Sequence, residues 1–150
     1  MRLLMLIGGV SGSGKTGVAE FLTTNLMQKC KRYSADDFFM RNGSYIFQPE
    51  LLSEAHEQCK RNVENNMEVD WPVLIVDNTF TTKDEAQWYI DKGKEYGYHT
   101  IYLAVVNHHG NKNNHKVPFS TIRMQTDRLC KTIKSLSEKP YEDLYNIDKE

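Results

Sequence analysis

Short apolar runs alternate along the chain with stretches in which apolar residues return every three or four positions. Leu3 to Gly8 is a continuous run of strand length, and Val18, Phe21, Leu22 and Leu26 then recur at helical spacing. A short strand around Arg32 to Ser34 follows. Pro49 suits a helix start, and Leu52, Ala55, Cys59 and Val63 mark that helix's inner face. Val73 to Val76, ending at Asp77, reads as a strand buried on both faces. Thr82-Lys83-Asp84-Glu85 has the form of a capping box for a helix carrying Ala86, Tyr89, Ile90 and Gly93, with Gly97 placed to stop it. The strand Thr100 to Val106 comes next. Asn107 to Lys116 holds four asparagines, three histidines and two lysines without an apolar residue, so it lies outside the core. After Pro118, the residues Ile122, Leu129, Ile133 and Leu136 outline a closing helix before a polar tail. Strands in alternation with helices predict an α/β fold, a three-layer α/β/α arrangement on a mainly parallel sheet.

The length of 150 residues allows one such unit, and a single domain over 1–150 is expected, with residues 107–118 as a lid and 119–150 as closing helix and tail. Nineteen Lys and Arg against twenty Asp and Glu leave a net charge of -1, which excludes a polycation that binds nucleic acid by bulk charge. Three widely spaced cysteines, Cys30, Cys59 and Cys130, give no disulfide framework and no C-x-x-C pair. The N-terminal apolar run falls short of a signal peptide, and no stretch reaches the roughly 20 apolar residues of a membrane helix. A soluble, cytoplasmic protein without membrane contact is expected.

Gly9-Val10-Ser11-Gly12-Ser13-Gly14-Lys15-Thr16 fits G-x-x-x-x-G-K-[ST] at every fixed position, directly after a strand and before a helix. That is the phosphate-binding loop of P-loop NTPases. Glycines let successive backbone N–H groups turn inward onto phosphate oxygens, and the helix N-terminus adds its dipole. Gly12, Ser13, Gly14, Lys15, Thr16 and Gly17 are the expected nucleotide-binding residues. Lys15 is placed to neutralise the β and γ phosphates and Thr16 to hold Mg2+. The expected cofactors are ATP, or another NTP, and Mg2+.

In a parallel sheet ligands sit beyond the carboxyl ends of the strands, where Asp36, Asp37 and Asp77 all fall. Phosphoryl transfer to a hydroxyl needs one carboxylate for the acceptor's proton and another group for the metal. Asp36 is expected in the first role and Asp77 in the second; helix capping is the alternative for either member of the Asp36-Asp37 pair. Asn78 and Thr79 are suitable hydrogen-bonding groups for acceptor or phosphate.

Gly9 to Thr16, Ser34-Ala35-Asp36-Asp37-Phe38-Phe39, Glu54-Ala55-His56, Val73 to Thr79 and Asn113-Asn114-His115-Lys116-Val117-Pro118 together resemble, in order and spacing, the P-loop kinase domain of bacteriophage polynucleotide kinases and the NEDD4-binding-protein-2-like family. The likeness spans about residues 3 to 130 and implies a nucleoside- or nucleotide-kinase-like fold. It implies that Asp36 activates a 5'-hydroxyl and that a lid arginine, six residues before the Val-Pro proline, is Lys112 here. His115 matches the lid motif and implies an ordering role. The basic residue three positions after the activating aspartate is Phe39 here; Arg41, two residues on, is the candidate to replace it at the acceptor, beside Asp37. The phage enzyme's phosphatase signature, Asp-x-Asp-Gly-Thr, does not occur in the sequence.

Lys112, Lys116, Arg123, Arg128, Lys131 and Lys134 face one acid, Asp127, in the stretch 111–134, a local net of +5 inside the neutral total. Arg123 and Lys116 are close enough to the lid in sequence to join it. His108, His109 and His115 lack partners at metal-ligand spacing, so no zinc site is expected. The aromatic run Phe38 to Phe47 either caps the core or stacks a base. The expected activity is transfer of the γ-phosphate to a hydroxyl, first of all the 5'-hydroxyl of DNA or RNA. The alternatives are a nucleoside or nucleotide kinase, and an ATP-binding interaction module with weak hydrolysis.

Overall fold

Four parallel strands carry the apolar runs: β1 (Leu3–Gly8), β2 (Cys30–Tyr33), β5 (Val73–Asp77) and β6 (His99–Ala104), in the spatial order β2-β5-β1-β6. The computed structural model describes residues 1–25, 29–106 and 117–136. Two further short strands, β3 (Met40–Arg41) and β4 (Ser44–Tyr45), form a separate antiparallel hairpin. Strand position explains strand composition. All five residues of the interior strand β5 are buried, whereas the edge strand β6 alternates between exposed and half-buried positions.

Helices cover both faces. On one side α2 (Leu52–Glu68) and α3 (Lys83–Glu95) bury Ala55, Cys59, Val63, Met67, Ala86 and Tyr89 against Leu4, Leu6, Leu74 and Val76. On the other, α1 (Lys15–Asn25) brings Ala19, with Val18 and Leu22, onto Ile7, Val73 and Ile75. The expected α/β fold with a parallel sheet is therefore the observed one. A closing helix, α4 (Phe119–Leu136), is tied to the sheet's end by Thr132 Oγ1, which donates to the Thr81 carbonyl at 3.0 Å.

Local departures have local causes. Phe21 is 66% exposed because α1 packs through Ala19, one of the small residues that lets a helix lie close to a sheet. Leu52 is exposed at the first turn of α2. The capping box before α3 is shifted: Thr82 makes no side-chain cap bond, and Glu85 Oε2 accepts the Thr81 N–H at 3.0 Å instead. β2 begins two residues earlier than Arg32, and β6 ends at Ala104 rather than Val106. The aromatic loop holds a 3-10 helix (Ala35–Phe39) and the β3–β4 hairpin, whose turn is Asn42-Gly43 with φ of 50° and 79°. Two positive φ angles are those of a type I′ turn, for which Asn-Gly is the favoured pair. Residues 107–116 of the expected lid, with Lys112, His115 and Lys116, the stretch 26–28 with Leu26, and the tail 137–150 lie outside the described residues.

Candidate active site

Strand register alone gathers the site. Ile7 of β1 pairs with Asp77 of β5, so that carboxylate leaves the sheet level with the start of the phosphate loop. Tyr33 of β2 pairs with Val76, which sets Ser34 to Asp37 beside Asp77. The Gly9 N–H donates to the Thr79 carbonyl at 3.1 Å and the Val105 N–H to the Gly8 carbonyl at 2.8 Å, fixing the loop's root to both neighbouring strand ends.

Within the loop Gly12 and Gly14 have φ of 81° and 95°, in the region a Cβ disfavours. Gly14→Ala is expected to cost about 1–2 kcal/mol of stability and to weaken ATP binding together, read as a lower melting temperature and a shifted ATP titration. The Ser13 N–H closes on the Val10 carbonyl at 3.1 Å, and Ser13 Oγ is buried without a protein partner. Gly17 has open space around it, so sterics do not require a glycine there. Lys15 Nζ rests on the Val10 carbonyl at 3.1 Å. Burial pushes its pKa below the ordinary lysine value, and the carboxylates of Asp36 and Asp77 pull it back, which places both acids within electrostatic reach of the ammonium.

Asp77 is 2% exposed. Its Oδ2 accepts from Thr16 Oγ1 at 3.2 Å and from Arg32 Nη2 at 3.0 Å, while Oδ1 lies 2.8 Å from Arg32 Nε as an ion pair without hydrogen-bond alignment. Burial raises the Asp77 pKa and the Arg32 charge opposes that rise. Arg32 also reaches Asp37 Oδ1 at 3.3 Å. Thr16 Oγ1 and Asp77 Oδ2, 3.2 Å apart, are hard-oxygen donors of the kind Mg2+ takes, while Asp77 Oδ1 is turned to Arg32. Among the described residues no group of three or more His, Cys, Asp or Glu side chains could hold a metal on its own.

The two aspartates of the pair divide. Asp37 Oδ2 accepts the Ser34 N–H at 3.1 Å in a capping box of the 3-10 helix, and its other oxygen takes Arg32. Asp36 is exposed, and its Oδ1 accepts from Tyr45 Oη at 2.9 Å. Asn78 is buried, with Oδ1 accepting the Ala35 N–H at 2.8 Å and Nδ2 directed at Cys59 Sγ, 3.9 Å away. Its amide ties β5 to the 3-10 helix. Thr79 meets the phosphate loop through its carbonyl. Arg41 is exposed and pairs with Ser44, on the hairpin face opposite Met40 and Tyr45. Arg123 is exposed on α4, without an ion pair to Asp127.

Sequence reasoning missed Arg32, Tyr45 and Gln125. Gln125 Oε1, on α4, accepts the Ser11 N–H at 3.1 Å across 114 positions, and residues 123 and 125 of a helix do not share a face. Only the Asn42-Gly43 hairpin signal could have put Tyr45 near Asp36 in advance.

Residues 4–127 match the AAA domain family AAA_33, and the chain belongs to that family, with a P-loop kinase-like fold. It is 30% identical over 100 residues, 67% of its length, to human NEDD4-binding protein 2, of which the match covers 6%. A chain in the structure of the Pnkp1/Rnl/Hen1 RNA repair complex superposes with a TM-score of 0.71 at 19% identity, covering 93% of this chain and 47% of that one. The Mycobacterium tuberculosis APS kinase CysC, as its Cys556Ala mutant, gives 0.54 at 14% identity, over 85% of this chain and 96% of that one. The chain thus spans a small part of NEDD4-binding protein 2 and about half of the repair-complex chain. Cys30, Cys59 and Cys130 form no disulfide, and no described helix is long and apolar enough to cross a membrane.

Proposed function

We propose that the chain is an ATP- and Mg2+-dependent kinase that phosphorylates the 5'-hydroxyl ends of polynucleotides. The observation that carries this reading is the convergence of Lys15, Thr16, Asp77 and Asp36 at one end of the sheet, with the Lys15 ammonium under the field of both aspartates. The likeness to NEDD4-binding protein 2 and to a chain of an RNA repair complex supports a polynucleotide acceptor.

In this reading the backbone N–H groups of Gly12, Ser13 and Gly14 with Lys15 seat the β and γ phosphates. Thr16 and Asp77 would hold Mg2+, which when bound neutralises charge on the phosphates. The acceptor hydroxyl hands its proton to the second oxygen of Asp36. Its oxygen forms the new bond to the γ phosphorus as the bond to the β–γ bridging oxygen breaks and ADP departs. Tyr45 and Arg32 hold the two carboxylates in place. On the family resemblance Lys112 is assigned the clamp on the transferred group and His115 an ordering role; Lys116 and Arg123 are assigned to the lid only by their place in the positive stretch of the sequence. Of the residues expected on the acceptor's side, Arg41 stands on the hairpin face away from Tyr45 and Asp37 is engaged by Ser34 and Arg32, so this reading gives neither a contact with the acceptor hydroxyl.

The test is transfer of label from γ-labelled ATP to 5'-hydroxyl DNA and RNA oligonucleotides. Transfer that Lys15→Met lowers by about 10²-fold or more, through loss of a charge aimed at the moving phosphoryl group, is the expected result. No transfer to either polymer overturns the reading. A kinase of small hydroxyl acceptors is the second reading, favoured by Phe39, which is core where polynucleotide kinases carry a cation. Phosphorylation of free nucleosides in the same assay, without transfer to oligonucleotides, would select it.

A further inference from the structure

The aromatic run Phe38 to Phe47 divides into rings that build the core and rings that do not. Phe39 is 2% exposed and central to the core, whereas Phe47 is 47% exposed, and Met40 and Ile46 beside it are exposed too. Tyr45 and Phe47 alternate along the same extended segment and so lie on one side of it. Their rings are parallel within 6° at a centroid distance of 6.3 Å. Both stand edge-on to Phe39, at 6.1 and 5.1 Å, so a buried ring fixes the attitude of two outer ones. The Ile46 N–H to Phe39 carbonyl bond, 2.9 Å, continues the hairpin ladder and stiffens the segment further.

We infer that Tyr45 and Phe47 form a stacking platform for the base of the acceptor's terminal nucleotide. The inference rests on Asp36 being the acceptor-activating carboxylate. Tyr45 Oη is hydrogen-bonded to Asp36 Oδ1, so a hydroxyl held by the other Asp36 oxygen lies alongside the tyrosine ring. In a nucleoside the 5'-oxygen and the base are separated by only a few bonds, which brings the base to the pair of rings. Aromatic faces accept any base, because each base has a π face. Arg41 projects from the opposite side of the hairpin, so the platform acts by stacking rather than by charge. An acceptor whose hydroxyl is carried by a group without a base gains nothing from these rings.

The experiment compares two oligonucleotides that differ only in the 5'-terminal nucleotide, one with its base and one abasic, each with a free 5'-hydroxyl. The wild-type protein is expected to phosphorylate the abasic end with kcat/KM lower by about tenfold or more, mostly through KM. Phe47→Leu, a half-exposed site where a fold defect is not anticipated and a melting curve checks it, is expected to shrink that ratio to about twofold. Tyr45→Phe keeps the ring and is expected to keep the ratio while lowering kcat. Quenching of a 5'-terminal 2-aminopurine on binding, weakened in Phe47→Leu, reads the stack without turnover. Equal phosphorylation of both ends by the wild type, or an unchanged ratio in Phe47→Leu, overturns the platform and leaves the kinase reading standing. No transfer to either end overturns both.

Discussion

Replacing Asp36 with asparagine is expected to lower kcat for transfer to a 5'-hydroxyl oligonucleotide by about 10²–10⁴-fold, the range of a positioned general base. ATP binding should stay within about twofold, because the phosphates are held by the loop and Lys15 rather than by Asp36. The substitution is isosteric and falls on an exposed side chain, so the fold has little reason to respond. Asparagine can still accept from Tyr45 Oη but can take no proton from the acceptor. Single-turnover rates with pre-bound ATP separate the two effects. A variant that transfers as fast as the parent would remove Asp36 from the chemistry.

Arg32→Met is expected to act on the fold instead. Asp77 is almost fully buried, and Arg32 supplies its counter-charge through both oxygens. Removing one partner of a buried pair strands the other charge, at a cost of about 3–5 kcal/mol. The sign with pH follows from Asp77. Burial already raises its folded-state pKa, and loss of Arg32 raises it more. An acid whose pKa is higher folded than unfolded binds more protons in the folded state, so stability falls as pH rises through the folded pKa and returns as pH falls. The deficit of the variant against the parent should therefore shrink as the pH of urea titrations is lowered. Mg2+ should raise the variant's melting temperature more than the parent's, because a cation on Thr16 and Asp77 would replace the missing guanidinium. A deficit that is independent of pH would show that Arg32 stabilises by packing alone.

The parts of the site that could be read from the sequence are those whose chemistry dictates residue type at fixed spacing. Gly12, Gly14, Lys15 and Thr16 fall within five consecutive positions, and Asp77 announces itself by ending an apolar run of strand length. Arg32 could not be read in this way. It lies 45 positions from Asp77, in a half-buried edge strand where an arginine is unremarkable, and only the β2–β5 register brings the two together. The choice between Asp36 and Asp37 turned on a capping interaction that the sequence permits for either residue; the 3-10 helix takes Asp37 for it. Phe21 misled because helical periodicity identifies a stripe, while the residue at the sheet surface is Ala19, small enough to be overlooked in that stripe. Asn78 follows Asp77 at the strand end, yet its amide faces inward, since side-chain direction there follows the pleat rather than the chemistry.

Gln125 and Lys15 both keep polar contacts on the phosphate loop: one accepts the Ser11 N–H, the other donates to the Val10 carbonyl. A nucleotide entering the loop trades the second of these bonds for its own phosphates, and the first is carried by a helix that follows directly on the lid region. Association then includes a local rearrangement of the Lys15 side chain. One backbone donor of the phosphate loop is thus already taken by α4, 114 positions along the chain, before any phosphate arrives.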